Sequence, residues 1–210
     1  MPVAERQESG KPVRRTARGE ATRARIVQAA VDLMRVRGVA ATTLDDVRAA
    51  SGTSKSQLYH HFTDKDCLVQ EVIAHQARDV LEREEQQLRQ LNSIRGLERW
   101  RDAILQRSAI HDGAYGCQLG SLASELSDHN ELARAALAQH FETWLGLIAA
   151  GLERMRSSGK LRPDADPERL ATGLMGALEG GYLLAQTQHD TRPMRISLDM
   201  AIDYIRSFHV

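Results

Sequence analysis

Along most of this chain apolar residues recur every three or four positions and almost nowhere alternate with polar ones, the periodicity of amphipathic helices. Ile26, Ala30, Leu33 and Met34 mark the buried face of a first helix over about 20–37, which Gly38 stops. The run "ATTLDDVRAASG" predicts a second. Thr43 caps it, Asp45 and Asp46 occupy the first turn where the helix dipole favours them, and Gly52 ends it. Ser54 caps a short third helix, Lys55–His61, anchored by Leu58 and Phe62 turning inward. "TDKDCLVQEV" opens a fourth from an Asp64 or Thr63 cap, continuing to about Leu91, and the few apolar positions of "EREEQQLRQL" predict that its latter half is partly exposed. Later helices fall at about 94–110, 119–127 and 131–157, the last apolar on most sides and so buried among neighbours. "SSGKLRPDADP" is a loop, Pro167 starts a helix to about His189, "DTRP" turns the chain, and 194–208 closes it. No proline falls between Pro12 and Pro163, and strand patterns are missing. The expected class is all-α with about nine helices: an N-terminal three-helix unit over 19–65, a larger helical domain over 66–210, and a flexible basic arm over 1–18.

Composition narrows the function. The chain of 210 residues is 42% hydrophobic and 27% charged, the profile of a soluble globular protein. No run approaches the roughly 18 apolar residues of a membrane span, and the N-terminus lacks a secretory apolar stretch, so a cytoplasmic location without membrane contact is expected. Cys67 and Cys117 form neither a disulfide framework nor a C-x-x-C motif. The formal net charge of zero hides an asymmetry: residues 1–65 hold twelve Lys and Arg against seven Asp and Glu. A basic N-terminal third on an acidic remainder points to a polyanion bound at one end.

The densest chemistry lies in "TSKSQLYHHF", residues 53–62. Two short helices joined by "ASGTS" form a helix-turn-helix pattern, whose second helix enters the DNA major groove with its N-terminal residues at base edges. Lys55, Ser56 and Gln57 hold those positions. Gln pairs bidentately with adenine, and Lys donates to guanine or phosphate. Tyr59, His61, Lys65 and Thr43 are placed for phosphate oxygens, the last two beside free helix N-terminal amides. His60 and His61 point roughly 100° apart on a helix and do not share a metal ion. Catalytic triads, paired carboxylates, phosphate loops and metal spacings are all missing, which speaks against an enzyme and against a cofactor. Arg14, Arg15 and Arg18 are candidates to track the minor groove, or belong to a solubilising tail.

"TTLDDVRAASGTSKSQLYHHFTDKDCL" resembles the DNA-binding signature of TetR-family transcriptional repressors, over residues 22–72. The resemblance implies an all-α homodimer, joined through its last two helices, with a DNA-reading head and a ligand-binding C-terminal domain. Base contacts then fall to Lys55, Ser56, Gln57 and His60, and phosphate contacts to Thr43, Ser54, Tyr59, His61 and Lys65. It further implies a repressor on a palindromic double-stranded operator, released by a small-molecule inducer; the alternative is a DNA-binding regulator without a small-molecule ligand. Many relatives carry Gly and Thr where this chain has Ser56 and Gln57, so the operator sequence does not carry over.

Downstream, "GAYGCQLGSLASEL" (113–126) is similar to a TetR subgroup that includes the LmrA/YxaF-type repressors, some of which answer to aromatic molecules. Relatives with a cysteine at this place include sensors of electrophiles or oxidants. Cys117 falls at a helix N-terminus, where the dipole favours thiolate, so it is either a sensor or a small packing residue. On the helix 167–189, Met175, Glu179, Tyr182 and Gln186 form a stripe of apolar bulk with polar tips, as pockets require. Tyr115, Leu122, His140 and Trp144 are candidate companions, and Gly173, Gly176 and Gly180 would let a partner helix approach.

Overall fold

The computed structural model describes residues 16–110 and 113–210. Among them are nine α-helices and no strand, only an isolated bridge between Leu161 and His209. The helices are α1 (Ala17–Arg37), α2 (Leu44–Ser51), α3 (Lys55–His61), α4 (Lys65–Leu88), α5 (Ile94–Ala109), α6 (Gln118–Leu126), α7 (Glu131–Ser157), α8 (Pro167–Gln188) and α9 (Arg192–Arg206).

α1 starts earlier than its apolar stripe implies, because the Thr16 hydroxyl accepts from the Gly19 amide and caps it. Arg18 therefore belongs to the helix and not to an arm. Arg14 and Arg15 lie outside the described residues. Ile26, Val27, Ala30 and Met34 of α1, Val47 of α2, Leu58 of α3 and Phe62 are buried together, so the three helices share one core with the start of α4. Fully burying side chains of this size contributes about 1.5–3 kcal/mol each.

α4 is the axle of the molecule, packed on α1, α6 and α7. Its latter half is partly exposed, as expected: Glu82, Glu85, Gln86 and Gln87 face solvent, as do Arg89 and Gln90 just beyond it. Glu84 is buried because the Trp100 indole N–H donates to it at 2.7 Å and Arg107 Nη2 at 2.9 Å, which satisfies a carboxylate that would otherwise be costly inside. α7 contributes Leu137, Trp144, Ile148 and Leu152 to the main core, and Gly151 lets the chain pass close to Leu91. α8 packs on α7 and α9, with Gly181 against Met194. α8 and α9 leave a shared outer face exposed. No described helix is long and apolar enough to cross a membrane.

Candidate nucleic-acid interface and ligand cavity

The helix-turn-helix is set by local chemistry. Thr43 and Asp46 form a reciprocal capping box: the Asp46 amide donates to the Thr43 hydroxyl, and the Thr43 amide and hydroxyl both donate to the Asp46 carboxylate. Those bonds from Thr43 hold the Asp46 carboxyl below its usual pKa. Gly52, at φ +64°, makes the left-handed turn between the two helices. Ser54 and Gln57 build a second box at the start of α3, with the Ser54 amide donating to Gln57 Oε1 at 2.9 Å.

On α3 the side chains of Lys55, Ser56, Gln57, Tyr59 and His60 are exposed, as are Thr43 and Ser54. Lys55 Nζ lies 6.0 Å from the Tyr59 ring centre, so a cation and a phenol share one surface. His60 and His61 meet edge to face, and His61 is half-buried beside Gly19 of α1. Two expectations change in detail. Gln57 Oε1 is engaged by the capping box, so Gln57 cannot pair bidentately with adenine without giving up that bond. Lys65 Nζ donates to the Ala40 carbonyl at 3.2 Å, tying α4 to the α1–α2 loop.

That loop is also held from the other domain. The Glu125 carboxylate on α6 accepts from the amides of Val39 at 2.8 Å and Ala40 at 2.6 Å. Gly38, at φ +81°, presents no side chain, and a Cβ there would press on the same carboxylate. Glu125 was not among the residues singled out from sequence. It sits within the "GCQLGSLASEL" stretch, but its partners are 85 and 86 positions away.

Three adjoining cavities surround α6 and its N-terminal turn. One of about 520 Å³ is lined by Cys117, Phe141, Glu179, Tyr182 and Gln186, among others. A second of about 290 Å³ is bounded by Arg35, Arg83, Arg107, Tyr115, Cys117, Trp144 and Tyr182, among others. A third of about 150 Å³ includes Arg35, Gln76, Tyr115, Leu122, Glu125 and Gln186. Seven of the nine predicted pocket residues are thus brought together. His140 and Met175 line none of the three. Met175 is buried as core instead, and His140 is half-buried on α7, where desolvation lowers its pKa.

Several buried polar atoms around these cavities have no hydrogen-bond partner among the described residues: Trp144 Nε1, Gln76 Oε1 and Glu179 Oε1. Burial raises the Glu179 carboxyl pKa above its usual value. Cys117 does cap α6, its sulfur accepting weakly from the Gly120 amide at 3.4 Å. Yet burial first, and then the neighbouring Glu179, push its thiol pKa far up. The dipole's preference for thiolate is overridden, and Cys117 is a buried thiol. Burial likewise keeps the Tyr182 phenol protonated. Among the described residues no group of His, Cys, Asp and Glu could hold a metal ion.

This architecture is found in known proteins. Residues 26–72 match the family described as bacterial regulatory proteins, tetR family, and residues 93–200 match the tetracyclin repressor-like C-terminal domain. The chain is 24% identical over 174 residues to the HTH-type transcriptional repressor DhaR of Mycobacterium sp. (strain GP1), covering 82% of this chain and 86% of the relative. It is 25% identical over 181 residues to the HTH-type transcriptional regulator YxaF of Bacillus subtilis (strain 168), covering 85% and 92%. Among solved structures, a TetR transcriptional regulator from Chloroflexus aurantiacus J-10-FL aligns with a TM-score of 0.77 at 25% identity, over 90% of this chain and 96% of that one. The regulatory protein TetR from Rhodobacter sphaeroides has the same fold, with a TM-score of 0.78 at 22% identity over 87% and 98%. With the C-terminal match alone spanning more than half of its length, the chain belongs to the TetR family of DNA-binding transcriptional regulators.

Proposed function

We propose that the protein is a ligand-responsive repressor of the YxaF-type subgroup, acting in the cytoplasm. It binds a palindromic operator as a homodimer and is released when a small molecule occupies the C-terminal cavities. Residues 19–65 form the reading head and 66–210 the sensing and dimerising part. Lys55, Ser56, Gln57 and His60 reach base edges, while Thr43, Ser54, Tyr59, His61 and Lys65 meet phosphates.

One observation carries this assignment. Cys117, Ser121 and Ser124 line the cavities along α6, and Glu125 on the same short helix both lines one of them and grips the α1–α2 loop of the head. A ligand that displaces α6 pulls on the Val39 and Ala40 amides, and so on Thr43 and α2 just beyond them. Such a device works only through differential affinity for two arrangements, with coupling of about 1–3 kcal/mol in typical cases.

The outer face of α8 and α9 supports the homodimer. Leu183, Ile196, Met200 and Tyr204 are exposed there, and no atom lies within 4 Å of where a Cβ on Gly173, Gly176 or Gly180 would be. For both heads to enter successive major grooves, a C2 partner covering this face has to place the two α3 helices about 34–36 Å apart, one turn of DNA. Sedimentation of the wild type and Met200→Arg tests this: a dimer converted towards monomer is expected, and a wild-type monomer overturns it.

A further inference from the structure

Resting on the ligand-responsive reading, we propose that the cavity between α1, α4, α5 and α7 takes a small organic carboxylate with an apolar body, its charge met by arginines and its acceptor oxygen by the Trp144 indole. Three guanidinium groups from three helices, Arg35, Arg83 and Arg107, line this cavity, and no described Asp or Glu lines it. The carboxylate in contact with two of them is Glu84, which already accepts from Trp100 and Arg107. Arg83 Nε lies 3.5 Å from Glu84 but is buried without making a hydrogen bond. Arg35 is paired with Asp32 at 3.7 Å, outside the lining. Among the described residues three guanidinium groups thus face two carboxylates, and the positive excess in this partly enclosed space is one that an anion corrects.

The two tryptophans differ in a way that points to the same ligand. Both are buried, yet the Trp100 N–H has its acceptor in Glu84 while the Trp144 N–H has none among the described residues. A carboxylate oxygen supplies that acceptor, and its planar geometry suits a guanidinium fork. Val80, Ile110 and the Trp144 ring provide the apolar walls. A cation is not favoured by the adjoining cavity, since Glu179 is a single carboxyl whose burial favours its neutral form.

Calorimetry on the full chain with matched acids and amides, benzoate against benzamide and hexanoate against hexanamide, tests the assignment. In at least one pair the acid is expected to bind about tenfold or more tighter than its amide. Arg83→Gln should remove that preference without weakening the amide, and Trp144→Phe should weaken the acid while circular dichroism stays unchanged. Arg107 is unsuitable for this purpose because its loss would leave buried Glu84 short of its hydrogen-bonded cation. Acids binding no better than amides, no acid binding, or an undiminished preference in Arg83→Gln overturns the proposal. The broader reading fails separately: acids that bind without changing DNA affinity, with no compound changing it, overturn ligand-controlled repression. A neutral inducer with inert acids overturns only the carboxylate.

Discussion

In the helix-turn-helix each capping side chain is reciprocated, Thr43 by Asp46 and Ser54 by Gln57, whereas around the C-terminal cavities Trp144, Gln76 and Glu179 each bury a polar atom without a partner. The head shows its remaining polar groups to solvent on α3, where water satisfies them until a duplex replaces it. The cavity groups have no protein partner among the described residues, and a buried donor or acceptor left unsatisfied costs about 1–3 kcal/mol. A surface for a regular polyanion is best built rigid and complete. A site that must respond to a ligand keeps some interactions open, so that binding has something to complete.

The largest expected effect breaks the cavity side. Arg107→Met leaves the buried Glu84 carboxylate short of its best cation, and removing one partner of a buried pair costs about 3–5 kcal/mol. Urea unfolding should show a loss of about 3 kcal/mol. A loss below about 1 kcal/mol would mean that the Glu84 cluster is a solvated surface network.

Next comes the head. Lys55→Ala should weaken DNA binding about tenfold or more and, if it meets a phosphate, reduce the salt slope by about one ion. Fluorescence anisotropy across a salt series reads both. A loss of affinity with an unchanged slope would place Lys55 on a base edge, and no loss at all would remove it from the interface.

Smaller still is the pH signature of the cavity. Because burial raises the Glu179 pKa, the folded state holds its proton more tightly than the unfolded chain does. The contribution of Glu179 to stability is therefore full below the ordinary carboxylate value near 4.5 and is lost as pH rises through the window up to its folded value. Glu179→Gln should flatten that decline in melting curves taken across acid and neutral pH. An identical decline in the variant would assign it elsewhere. The mildest probe is alkylation: iodoacetamide should modify exposed Cys67 rapidly and buried Cys117 slowly, as read by mass spectrometry. Rapid modification of Cys117 would restore the electrophile-sensing alternative.

What the sequence disclosed follows the same division. Thr43, Gly52 and Ser54 act within four residues of their partners, so spacing alone placed α2 and α3. The stripe from Glu179 to Gln186 was legible as a pocket wall because helical periodicity is local, although Met175, at the same spacing, turns into the core. The Glu125 latch and the convergence of Arg35, Arg83 and Arg107 were not legible, since each joins helices far apart in the chain. One signal was available. Glu84 lies midway along the apolar line Val80–Glu84–Leu88, and a carboxylate in that register implies a buried partner. For Cys117 the local pattern shows the cap but leaves sensor and packing residue both open, because burial depends on α8, which that pattern does not reveal.

In the proposed mechanism α6 carries cavity occupancy to the head through Glu125. This coupling is tested most directly by the affinity for a duplex that the protein itself selects from a random library, measured with and without the tightest-binding acid of the matched pairs, in wild type and Glu125→Ala. The acid is expected to weaken DNA binding by roughly five- to 150-fold in wild type. In Glu125→Ala the acid still binds by calorimetry, but its effect on DNA is lost or reduced to a few-fold. Equal weakening in both proteins would contradict the coupling.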